Sequence, residues 1–112
     1  MKPQHGFIIL EPYASSIIRG TKIREYRSYD VPEQYKNIPL FLLSGGRIFG
    51  IIKFPKTEKY NEVDWCWDIE VIESWLDKPK YKHPNGAQRW VRNVNKLQIK
   101  LDRYDQDIRL GT

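Results

Sequence analysis

Apolar stretches in this chain are short, and glycine or proline cuts most of them off. Phe7-Ile8-Ile9-Leu10, Leu40-Phe41-Leu42-Leu43-Ser44 and Ile48-Phe49-Gly50-Ile51-Ile52-Lys53-Phe54 are the main examples. Runs of about 4–8 residues bounded by turn signals read as buried strands, because helices need roughly ten or more. Gly45-Gly46 between the second and third runs signals a hairpin. Gly50 inside a strand predicts a bulge or a close backbone approach, as small barrels need at their corners. From Trp65 to Leu76 apolar residues alternate, with Trp67, Ile69 and Val71 on one face and Asp68, Glu70 and Ile72 on the other. That period of two predicts one further strand.

One helix is legible before the third run of strand signals begins. Pro12 to Arg19 places Tyr13, Ala14, Ile17 and Ile18 on one apolar face, with proline at its start and Gly20 just past its end. The segment from Ser28 to Pro39 is polar and proline-marked, and reads as a loop with one helical turn after Pro32. Pro55 to Glu62 reads as a polar surface connection, and Asp77 to Gly86 as a basic loop ending in an Asn85-Gly86 turn. Near the end, Leu97, Leu101, Tyr104 and Ile108 have helical spacing, while Leu97, Ile99 and Leu101 alternate. The longer match favours a C-terminal helix within 97–110. The expected architecture is one α+β domain, 1–112, without internal repeats.

Composition limits the function classes. Nineteen basic against fourteen acidic residues give a net charge of +5, which favours a polyanionic partner. The single cysteine rules out an intramolecular disulfide and fits a reducing compartment. With two histidines far apart and one cysteine, a zinc site is not expected, and neither a metal nor an organic cofactor is predicted. Met1-Lys2-Pro3-Gln4-His5-Gly6 lacks a signal-peptide shape, and no apolar run approaches the roughly 18 residues of a membrane span. A cytoplasmic protein with no membrane partner is expected.

Chemistry concentrates in Gly20-Thr21-Lys22-Ile23-Arg24-Glu25-Tyr26-Arg27. This stretch straddles a helix-to-strand turn, where unpaired backbone donors and fixed side-chain angles suit anion or base recognition. An ammonium at Lys22 can neutralise a phosphate or polarise a base carbonyl. Glu25 can accept from an exocyclic amine or act as a general base. Arg27 can hold a phosphate or brace Glu25. Strict alternation points Lys22 away from Glu25 and Arg27, so the three converge only if Lys22 still belongs to the turn. Tyr13, Trp65, Trp67, Trp75 and Trp90 are candidate stacking rings, with Trp67 expected in the core. Lys53, Lys56, Lys59, Lys78, Lys80 and Lys82 are either a phosphate-tracking set or a solvated face.

The spacing G-x-K-x-x-E-x-R resembles the signature of the ASCH domain family, a branch of the PUA-like superfamily. The likeness extends to Ile9-Leu10-Glu11-Pro12-Tyr13-Ala14, to Gly46-Arg47-Ile48-Phe49-Gly50-Ile51-Ile52, and to Trp67-Asp68-Ile69 with Asp77-Lys78-Pro79 and Trp90. It covers roughly residues 7–92, leaving 93–112 as a C-terminal extension. The resemblance implies a PUA-like barrel that binds RNA or a modified nucleoside in a cleft beside it. Tyr13, Lys22, Glu25, Arg27 and Trp90 are the implied ligand-binding residues. Some ASCH members deacylate N4-acetylcytidine, and nuclease activity is attributed to others, so the alternative is a small cofactor-independent amidohydrolase or ribonuclease using Lys22 and Glu25. The catalytic lysine of the amidohydrolases matches Lys22, but the position of their nucleophilic threonine holds Glu25. Thr21 is a hydroxyl at the wrong position, and Glu62, Asp64 and Glu70 are the options for an acidic partner. A protein-interaction domain without a small ligand is the third reading.

Overall fold

Residues 2–94 are described by the computed structural model, and the predicted C-terminal helix within 97–110 lies outside them. Elements follow in the order β1 (Gly6–Ile8), α1 (Tyr13–Arg19), β2 (Arg24–Arg27), a 3-10 turn (Glu33–Tyr35), β3 (Leu40–Ser44), β4 (Arg47–Lys53), β5 (Thr57–Lys59), β6 (Trp65–Asp68), β7 (Glu70–Ser74) and β8 (Trp90–Val91). The domain is α+β, mostly strand, with one α-helix among the described residues.

Strands pair into a five-stranded sheet, β7-β4-β3-β1-β8, and a three-stranded sheet, β2-β6-β5. The two do not close into one hydrogen-bonded barrel among the described residues. In the larger sheet β1 runs parallel to β3, and the other neighbours are antiparallel. The smaller sheet is antiparallel throughout.

β3 and β4 form the predicted hairpin and are buried on both faces. Along β3, Leu40 and Leu42 enter a core with Phe7, Ile17, Phe54 and Trp67, while Phe41 and Leu43 enter a second core with Trp75, Tyr81 and Val94. On β4 the two sets are Phe49 with Ile52 and Ile48 with Ile51, spaced by three rather than two. A bulge explains the extra residue: Leu42 pairs with Gly50 and Leu43 with Ile48, leaving Phe49 without a partner in the register. Gly50 is required by the neighbouring strand, since a Cβ there would lie 2.1 Å from the Glu73 carbonyl oxygen.

Two strand expectations change. The polar stretch after Pro55 contains β5, paired with β6 from Thr57↔Trp67 to Lys59↔Trp65. An edge strand facing solvent needs no apolar alternation, so the sequence carries no sign of it. The stretch from Trp65 to Leu76 is two strands in different sheets. The chain changes sheet at Ile69, whose N–H donates to the Ile23 carbonyl at 3.0 Å. Its apolar face survives the break: Ile69 and Val71 still pack against the core that holds Trp67. No helix among the described residues is long and apolar enough to cross a membrane.

Candidate functional site

The motif is positioned by the end of α1. Gly20 adopts a left-handed conformation at φ 81°, which closes the helix. The N–H groups of Thr21 and Lys22 then both donate to the Ser16 carbonyl, at 3.0 and 3.1 Å. Lys22 is thereby wrapped against the helix end before β2 begins. Along β2, Arg24 and Tyr26 are exposed, whereas Glu25 is buried and Arg27 half-buried.

Glu25, only 7% exposed, lies between two cations. Its Oε1 is 3.0 Å from Lys22 Nζ and its Oε2 accepts from Arg27 Nε at 2.5 Å. Arg27 Nη1 also donates to the Tyr29 hydroxyl at 3.4 Å. The guanidinium carbon lies 5.5 Å from the Phe7 ring centroid and 5.9 Å from that of Trp67. Lys22 Nζ sits 5.4 Å from the Tyr13 centroid. Cation–π contacts of this kind offset part of the cost of removing these charges from water.

Tyr13, Lys22, Glu25 and Arg27 line a cleft of about 360 Å³ together with Ile9, Leu10 and Tyr26. That volume is within the roughly 300–1,000 Å³ of small-ligand pockets. Tyr13, 51% exposed, and Leu10 form an apolar rim. Lys22 and Arg27 against Glu25 leave one positive charge in excess at the base. An ammonium has three N–H donors, and one serves Glu25. The arrangement suits an acceptor-rich or anionic group held beside an aromatic face.

Four of the five sequence-predicted ligand residues, Tyr13, Lys22, Glu25 and Arg27, meet in this cleft. Trp90 is elsewhere. It stacks on Tyr35 at 4.6 Å with planes 8° apart, tilts against Phe7 at 5.0 Å, and does not line the cleft. Among the other rings, Trp67 and Trp75 are buried and Trp65 is half-buried under Lys59.

Thr21, the nearby hydroxyl, donates to the Ser16 carbonyl at 3.1 Å and is not part of the cleft lining. Glu62 and Asp64 sit in the β5–β6 connection, and Glu70 lies 3.8 Å from Lys53. None of the three lines the cleft.

Three of the candidate lysines have local partners. Lys53 faces Glu70, Lys56 faces Glu58 at 4.0 Å, and Lys78 covers Phe49. No group of three or more metal-ligating side chains occurs among the described residues.

Tyr26 is the site residue that sequence reasoning missed. Its outward direction follows from the burial of Glu25 on the same strand, which residue type alone would have reversed. Its pKa is held above the usual phenol value, chiefly by the Cys66 thiol opposite it on β6. No protein-family model matches the chain, and no curated protein matches it.

Proposed function

We propose that this protein is an RNA- or nucleoside-binding domain of the ASCH type, with the cleft at Lys22 as its ligand site. The observation that carries the reading is Glu25 held between Lys22 and Arg27 at the base of an aromatic-rimmed cleft. A carboxylate with both oxygens engaged by cations orients those cations. It fixes two donors toward the cleft, where a phosphate or a base carbonyl accepts from Lys22 and a base stacks on Tyr13.

The same reading takes the fold as an open PUA-like barrel. Support comes from the helix–turn–strand order around the motif, and from Ile69, which links the two sheets through Ile23.

Binding is favoured over hydrolysis because the cleft lacks a hydroxyl nucleophile in the place the amidohydrolases need one. Thr21 is engaged with the helix end, and Glu25 with two cations.

The test is titration of purified protein with cytidine and uridine monophosphates and with a short RNA, alongside turnover of N4-acetylcytidine. Lys22→Ala is expected to weaken binding at least tenfold while the fold is retained. Unchanged affinity in Lys22→Ala would remove the site. Lys22-dependent release of acetate would make the cleft a hydrolase site instead.

A further inference from the structure

Tyr26 lines a second cleft as well as the first. This second cleft, about 430 Å³, lies over the outer face of the β2-β6-β5 sheet and is bounded by Arg24, Tyr26, Glu58, Lys59, Tyr60 and Cys66. Cross-strand register builds it: Tyr26 is opposite Cys66, and Cys66 is opposite Glu58.

Tyr60 packs edge-on against Tyr26, with ring centroids 5.0 Å apart and planes at 68°. Tyr26 is 47% exposed and Tyr60 62% exposed, although both are large rings with apolar faces. The Tyr60 contact holds the Tyr26 ring in place between the two clefts. Between them the two clefts are lined by the rings of Tyr13, Tyr26 and Tyr60 and by the cations Lys22, Arg27, Arg24 and Lys59.

Resting on the reading of the first cleft, we infer that the natural ligand is a single-stranded oligonucleotide, not a free nucleoside. The nucleotide next to the one at Lys22 enters the second cleft. There its base stacks on Tyr60 or Tyr26, and Arg24 or Lys59 takes a phosphate. Rings and cations lining one surface are the combination that binds single strands, because every base has a π-face and every linkage a negative charge. The charges already present in the second cleft do not block this. Arg24 pairs with Asp68 at 3.2 Å, a solvent-exposed pair of the weak kind that a phosphate can displace, and Glu58 has its own cation in Lys56 at 4.0 Å.

The experiment compares uridine monophosphate with a fluorescently labelled eight-nucleotide oligouridylate and its deoxy counterpart, by anisotropy at several salt concentrations. Wild-type protein is expected to bind the octamer at least tenfold more tightly than the monophosphate. Tyr60→Ala and Arg24→Gln should each weaken the octamer about fivefold or more and leave the monophosphate unchanged, because neither residue borders the first cleft. Arg24→Gln should also lower the slope of log affinity against log salt by about 0.7, the value for one lost single-strand phosphate contact. Preference for the ribose octamer over the deoxy one identifies RNA, and equal affinity identifies single strands of either sugar.

Lys22-dependent binding of the monophosphate, with an octamer no tighter, overturns the second cleft and leaves the first intact. An octamer that binds tightly but ignores both substitutions also overturns it. Failure of both ligands to bind overturns the two clefts together. Both substituted side chains are solvent-exposed, so thermal melting serves as the fold control.

Discussion

Lys22 Nζ lies 3.0 Å from Glu25 Oε1 although the two residues are three apart beside a strand, where alternation sends side chains to opposite faces. The contact exists because Lys22 is not yet in the strand. Its N–H is bound to the Ser16 carbonyl at the helix end, and β2 begins only at Arg24. A helix stop and a strand start therefore meet over one buried carboxylate.

Glu25→Gln tests that carboxylate. The amide cannot neutralise two cations, and Lys22 and Arg27 would remain half-buried beside it. A loss of about 1–3 kcal/mol in urea unfolding is expected, below the figure for a fully buried pair because both cations reach solvent. Ligand affinity should fall less than in Lys22→Ala, since both donors lose their orientation but keep their charge.

Tyr13→Ala and Trp90→Ala should separate binding from folding. Tyr13 is half exposed at the rim, so its removal should leave stability within about 0.5 kcal/mol. Loss of one stacked base is worth roughly 1–3 kcal/mol, a decrease in affinity of about 5- to 150-fold. Trp90 packs on Tyr35, Phe7 and Phe54, and its truncation should cost about 2–4 kcal/mol of stability. Equal effects of the two substitutions on binding would return Trp90 to the site.

Gly50→Ala should be among the most damaging single methyl additions. Its Cβ would meet the Glu73 carbonyl oxygen at 2.1 Å, and that carbonyl belongs to the neighbouring strand backbone. Relief requires β4 and β7 to separate locally, at a cost of about 3 kcal/mol, read by thermal melting.

Stability should rise with pH through the histidine range. His5 Nδ1 accepts from the Asn93 N–H at 3.0 Å, an acceptor role that only the neutral ring can fill. Burial, helped by the nearby Arg92 cation, holds its pKa below 6.5 in the folded protein. The unfolded chain therefore binds the proton more readily. The contribution of His5 is complete above about pH 6.5 and is lost as pH falls through the folded value. Melting curves from pH 5 to 8 should show this slope, and His5→Asn, which keeps an acceptor without a titrating ring, should flatten it.

The sequence by itself determined the local features of this protein. α1 and its Gly20 stop, the β3–β4 hairpin, the 3-10 turn after Pro32 and the buried place of Trp67 are set by apolar spacing and turn chemistry within a few residues. The Glu25–Arg27 pairing was legible from alternation along one strand, whereas Lys22 joins it only because its N–H is bound to the Ser16 carbonyl at the helix end. Tertiary structure alone decided the partners of each strand. Nothing local marks Thr57–Lys59 as the edge of the second sheet, or Ile69 as the point where the chain passes from one sheet to the other. Trp90 and Tyr26 were likewise decided by tertiary packing. Both are aromatic and both lie on strands, but one stacks on Tyr35 and the other faces two clefts. Residue type records that a ring must be covered or used, while pairing between distant strands settles which.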